Sequence, residues 1–158
     1  MNIFVLSECP YQSAIWHNNK HVVKMPLETA QMLSTAVRFY LRDVPDVYKQ
    51  AYLNHPCTVW ARTSKENFLW LCELGITLCE EFSFRRNKIH ACLRIILACK
   101  SYADKIAWPQ EEQTIFALAM PEKLDTNPVL QYRKYYQVEK SHLADWYPRE
   151  PPYWYNQQ

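Results

Sequence analysis

At 158 residues the chain is about one domain, long enough to bury a core without metals or disulfides. A single glycine beside 15% aromatic residues argues against a hairpin-rich β architecture, whose turns usually need glycine, and predicts an all-α, single compact helical domain over residues 1–158. With 18 basic against 16 acidic residues the formal charge is only +2, so any anion-binding role has to come from a local patch.

Residues 2–6 form a short apolar run, read as one short N-terminal extended segment or buried lead-in. From about residue 11 a helical period begins and runs to about 42, with Pro26 expected to kink it or to start a second helix. Residues 43–56, with Pro45, Asn54 and Pro56, read as a connector with a helical turn around 47–52. Thr63 followed by Glu66 fits a capping box and predicts a helix over 64–84 that turns Phe68, Leu71, Cys72, Ile76, Leu78, Cys79 and Phe82 inward. Another helix is expected after Asn87, burying Ile89, Cys92, Leu93, Ile96 and Cys99. Residues 102–127 read as a long loop with one helical turn, and Asn127-Pro128 as the N-cap and first position of a helix reaching about 146. The proline- and ring-rich tail, 147–158, is expected to strap across the surface and bury Trp154.

Cys72 and Cys79, like Cys92 and Cys99, are seven residues apart, roughly 10 Å along one helix face. That is too far for a bridge, so these thiols are read as reduced core residues. No apolar run approaches the roughly 18 residues of a membrane span. The amino end lacks the basic segment and cleavage site of a signal peptide, so a soluble cytoplasmic protein is expected.

On the first long helix His17, Lys20, His21, Lys24, Glu28, Gln31 and Thr35 share one polar stripe on a cylinder that is otherwise largely apolar. Imidazoles, ammoniums and a carboxylate on a buried helix need partners or a ligand. His17 and His21 have the spacing of a helical metal pair, but Lys20 and Lys24 would set positive charge beside a cation, so neither a metal nor a cofactor is assigned. An anion suits the groups better, with His21 held as a neutral acid or base by the flanking lysines. A second polar cluster, His55 before Pro56 with Arg62 further on, can present an imidazole and a guanidinium to phosphate. In YRKYYQVEK, Arg133 and Lys134 interleave with tyrosines, a pattern able to grip a nucleic-acid backbone and stack on bases.

Taken together, H-x2-KHVVK-x3-E-x2-QMLSTA, NHPC-x2-WAR, CEE-x4-R and YRKYY with the W-x2-REPP-x-W end resemble a widespread family of small phage proteins, which supplies a viral context. The stretch from His55 to Asn87 and YRKYYQ are also similar, more distantly, to the phage pyrimidine-dimer DNA glycosylases of the endonuclease V type. That resemblance implies a compact helical DNA glycosylase whose charged early helix falls on Lys20, His21 and Lys24. His21 then stands where the family carries its glutamate, which leaves Glu28 to activate water, Lys20 and Lys24 to hold phosphates, and a flipped base to stack among the rings.

The leading expectation is a phage DNA-acting protein, a glycosylase of a damaged or modified base, with His21 and Glu28 catalytic and with His17, Lys20, Lys24, His55, Arg62, Arg133 and Lys134 binding phosphate or ligand. The alternative is a non-catalytic viral protein that sequesters a nucleotide or phosphorylated immune signal through Lys20, His21, Lys24 and Arg62. A structural reading makes the stripe a contact between subunits of a homo-oligomer. No membrane partner is expected.

Overall fold

The computed structural model describes residues 1–121 and 125–156. In chain order it contains α1 (Pro10–Ile15), α2 (Asn19–Leu41), α3 (Pro56–Thr63), α4 (Lys65–Arg86), α5 (Leu93–Ser101) and α6 (Pro128–Val138), with short 3-10 turns at Ala103–Lys105 and Ser141–Leu143. There is no strand among the described residues, and the domain is all-α. Residues 2–6 are a buried, irregular lead-in.

Local chemistry sets most boundaries. Asn18 caps α2 by accepting the His21 N–H at 2.9 Å, Ser64 caps α4 by accepting the Asn67 N–H at 3.1 Å, and Asn127 caps α6 through the N–H groups of Val129 and Leu130. The α4 cap is therefore Ser64, one residue beyond the expected Thr63. Asn87 closes α4 in the left-handed conformation, at φ 52°. The first long helix breaks at residues 16–18 and runs unbroken through Pro26, because a capping asparagine is available at 18 while the buried proline is held by packing. No helical turn forms at 47–52. α5 starts later than expected and leaves Ile89 exposed, and α6 stops at Val138 rather than near 146.

α4 is the axis of the core, packing on α1, α2, α3 and α5. Its buried face carries Phe68, Leu71, Cys72, Leu78 and Cys79, and the cysteines of the chain are all free thiols, five of them buried. α6 turns Tyr132 and Tyr136 onto the lead-in, where both rings meet Phe4 edge-on. The tail buries Trp154, whose ring meets Trp16 and Tyr136.

Gly75 is where α4 comes closest to its neighbours: a Cβ there would lie 2.7 Å from Thr29 Cγ2 and 2.9 Å from Ile96 Cδ1. Gly75→Ala gains about 1 kcal/mol of helix propensity but overpacks a closed contact at about 1–3 kcal/mol. The expected outcome is a melting temperature lower by a few degrees in calorimetry; an increase would show that Thr29 and Ile96 yield freely.

Candidate functional site

The lead-in is built around Asn2. Its Oδ1 accepts the N–H groups of Ile3 at 2.7 Å and Phe4 at 3.2 Å, and its Nδ2 donates to the Ala119 carbonyl at 3.1 Å. This holds Phe4 at a φ of 39° and brings the first backbone nitrogens against α2. There the Asn2 N–H donates to Glu28 Oε2 at 3.0 Å, and the Met1 ammonium lies 3.7 Å from the same oxygen. Lys24, one turn earlier on α2, approaches Glu28 Oε1 at 3.2 Å. The Glu28 side chain is only 12% exposed, whereas that of Lys24 is 63% exposed.

α3 adds His55 to this neighbourhood. Its Nδ1 accepts the Cys57 N–H at 3.2 Å, which leaves the proton of the neutral ring on Nε2. Burial and the Met1 ammonium hold the His55 pKa below its usual range, with Glu28 pulling the other way. Cys57 beside it is pushed up to about 11, chiefly by burial, so it is a thiol at neutral pH and no nucleophile. Thr58 reaches the Met1 sulfur at 3.5 Å. A nearly buried carboxylate, a neutral imidazole and two ammonium groups therefore meet where the lead-in, α2 and α3 converge.

The remaining residues of the expected stripe separate. His17 is fully buried, with Nδ1 donating to the Ser13 carbonyl at 2.7 Å, and burial lowers its pKa to about 4. His21 is stacked on Phe4 with ring centroids 4.3 Å apart and pairs Nδ1 with the Tyr136 hydroxyl at 2.5 Å. Its pKa falls to about 3, mainly through burial, with His17, Lys140 and Lys24 adding to the effect. The lysines are thus a minor cause of its neutrality. Thr35 is buried and bonded to Ala51. Lys20 faces outward, onto a separate recess.

The other sequence candidates are spread over the surface. Arg62 donates to the Leu53 carbonyl and lies over Phe39, 4.7 Å from the ring centre. Arg133 donates to the Leu6 carbonyl and sits 5.1 Å and 5.4 Å from the rings of Trp16 and Trp154. Lys134 pairs with Asp125 at 2.9 Å. Among the described residues no group of three or more His, Cys, Asp or Glu is placed to hold a metal, and no helix is long and apolar enough to cross a membrane.

Sequence reasoning missed Asn2 and the lead-in as part of this site. The signal was a polar residue heading an apolar run, beside a helix whose charged stripe needed partners.

The buried histidines make stability pH-dependent. Both native pKa values lie below the unfolded value near 6.5, so the unfolded chain binds more protons and stability is complete above about pH 6.5. It is lost as pH falls from there through about 4 and then about 3. Urea unfolding between pH 7 and 4.5 should show a proton uptake approaching two, reduced by about one in His21→Gln; a slope unchanged by that substitution would remove His21 from the account.

Comparison with protein-family models, curated proteins and solved structures gave no match, so the site's geometry alone carries the functional argument.

Proposed function

We propose that the protein acts on DNA as a glycosylase of a damaged or modified base, with Glu28 as the group that activates water. The observation that carries this reading is the Glu28 carboxylate, 12% exposed, fixed by the Asn2 N–H and flanked by the Met1 and Lys24 ammonium groups. A carboxylate whose geometry is set by its neighbours is suited to receive a proton from water as that water attacks the anomeric carbon. The carbon–nitrogen bond to the base then breaks, and its electron pair leaves with the base. In this scheme Lys24, largely exposed, meets a phosphate beside the extruded nucleotide, and the Nε2–H of His55 hydrogen-bonds to the same substrate. His21 has no direct role in this scheme: it is a core imidazole that fixes Phe4 and Tyr136.

The test is release of free base from a panel of duplexes carrying damaged and modified pyrimidines and purines, read by chromatography. Glu28→Gln keeps the shape and the Asn2 hydrogen bond and should lower the rate by about 10²- to 10⁴-fold, far beyond the modest drop in melting temperature expected from loss of its ion pairs with Met1 and Lys24. Wild-type protein that releases no base from any duplex defeats the reading.

Capture of a nucleotide without turnover is favoured by a different observation. Arg38, Phe39, Arg42, Asp43 and Gln50 line a recess of about 540 Å³, and the Arg62 guanidinium covers one side of the half-exposed Phe39 ring. A thermal shift with nucleotides that Arg42→Ala abolishes, with the ligand recovered unchanged after denaturation, would select this reading over the enzyme.

A further inference from the structure

Beyond the Glu28 site, a second recess of about 380 Å³ lies at the start of α2. Lys20 from α2, Arg86 from the last turn of α4 and His142 from the turn after α6 line it together. These three elements are far apart in sequence, and the cationic groups meet only in the folded chain. Lys20 and Arg86 are both exposed, and neither side chain makes a hydrogen bond or close ion pair with another described residue.

The floor of the recess is firmly built. The Asn19 N–H donates to the Asp145 carbonyl at 2.7 Å, the Asn19 amide donates to the Tyr147 carbonyl at 2.9 Å, and Arg85 donates to Asn19 Oδ1 at 3.1 Å. Asp145 is the one carboxylate in the lining. It accepts the Tyr147 N–H at 3.1 Å, and hydrogen bonds, together with the neighbouring Arg86 and Arg85, hold it ionised, so the lining carries one negative charge against Lys20 and Arg86. With Lys20 and Arg86 against the single carboxylate, the lining keeps a net positive charge and two free cationic side chains for one tetrahedral anion, the guanidinium able to grip two of its oxygens.

We propose that this recess holds a phosphodiester of the DNA strand whose target nucleotide is presented to Glu28. The inference rests on the DNA-acting reading above. Lys20 and Lys24 are successive cations on the exposed strip of α2, roughly 6 Å apart along the axis, and Glu28 follows at the same step. A strand lying along the exposed strip meets Lys20 with Arg86 first and then Lys24, with the largely buried Glu28 carboxylate at the strip's inner edge one turn beyond. His142 lines the same recess.

The experiment is fluorescence anisotropy of a labelled duplex against wild type, Lys20→Glu with Arg86→Glu, and Lys20→Arg with Arg86→Lys, at several salt concentrations. Melting curves serve as the check on folding. The charge-reversed pair should weaken binding about tenfold or more and lower the salt slope by about one, as expected for loss of one phosphate contact. The charge-conserving pair should bind within about twofold of wild type. If wild type binds DNA and the charge-reversed pair binds equally well, the recess proposal is overturned and the Glu28 reading survives. If no duplex binds wild type at all, the DNA-acting reading falls and takes the recess with it. Inorganic phosphate supplies the remaining arm: a stabilisation of wild type, lost in the charge-reversed pair while DNA affinity stays unchanged, would assign the recess to a free phosphate and overturn the strand assignment.

Discussion

The fold turns on one buried guanidinium. Arg85, whose side chain is 1% exposed, donates to the carbonyls of Ile15 and His17, to Asn19 Oδ1 and to the Glu81 carboxylate one turn back on α4. Glu81 is itself held from its other side by Arg149 of the tail, at 2.6 Å. A buried charge is tolerated only when its donors are satisfied, and removing one partner from such a set typically costs about 3–5 kcal/mol. Here the satisfaction is mutual. α1 ends in a break whose carbonyls have no helical partner, and Arg85 supplies the missing donors.

That contact fixes the direction in which α2 leaves the break and therefore which of its sides looks inward. Once Asn18 caps the helix, His17 and His21 face Phe4 and Tyr136 while Lys20 and Lys24 face out. Two turns further on, Glu28 meets the backbone of the lead-in. The lead-in can follow this path only because Asn2 gathers the N–H groups of Ile3 and Phe4 and holds Phe4 in the left-handed region, a conformation costing on the order of 1–3 kcal/mol for a residue with a bulky side chain. The stacking of Phe4 on His21 and its edge contacts with Tyr132 and Tyr136 offset that strain. Glu28 and its neighbours are thus assembled where the lead-in, α2 and α3 converge, with α6 rings holding Phe4 in place.

This explains what could and could not be read from the sequence. Helix identity was accessible wherever it is a local property: the near absence of glycine, the Asn127-Pro128 start and the apolar face of α4 all depend on residues within a few turns of one another. The buried Trp154 strap was accessible for the same reason, since a non-helical segment still buries its largest ring, while Tyr147 and Tyr153 stay exposed. The rotational setting of α2 was not. Its polar stripe was plain, but periodicity cannot tell which polar groups are satisfied inside, and the partners that decide this, Phe4 and Tyr136, lie 17 residues before and 115 residues after His21. The start of α5 was misplaced because Ile89 continued an apolar period, whereas His90 turns back to accept the Cys92 N–H and the chain stays irregular until Leu93. α6 ends at Val138, a 3-10 turn follows at Ser141–Leu143, and beyond it the Trp146 indole N–H donates to the Trp16 carbonyl, a partner 130 residues away that no local pattern signals.

The division of α2 into an inner and an outer polar face also bears on what kind of ligand suits it. The histidines are neutral at physiological pH because they are desolvated, so they add no field at the surface. The field outside comes from Lys20 and Lys24 with Arg86 beside them, and the carboxylate of Glu28 lies at the far end of the same strip. A single small anion would engage Lys20 with Arg86 in their recess and leave Lys24 on its Glu28 ion pair. A chain of phosphates uses them in sequence and brings a neutral sugar or base to the carboxylate, where a second phosphate would be repelled. The order of charges along one helix, cation, cation, carboxylate, therefore matches an extended polyanion with a reactive uncharged unit better than it matches a free nucleotide, and this is the physical reason for preferring the DNA-acting reading over simple capture.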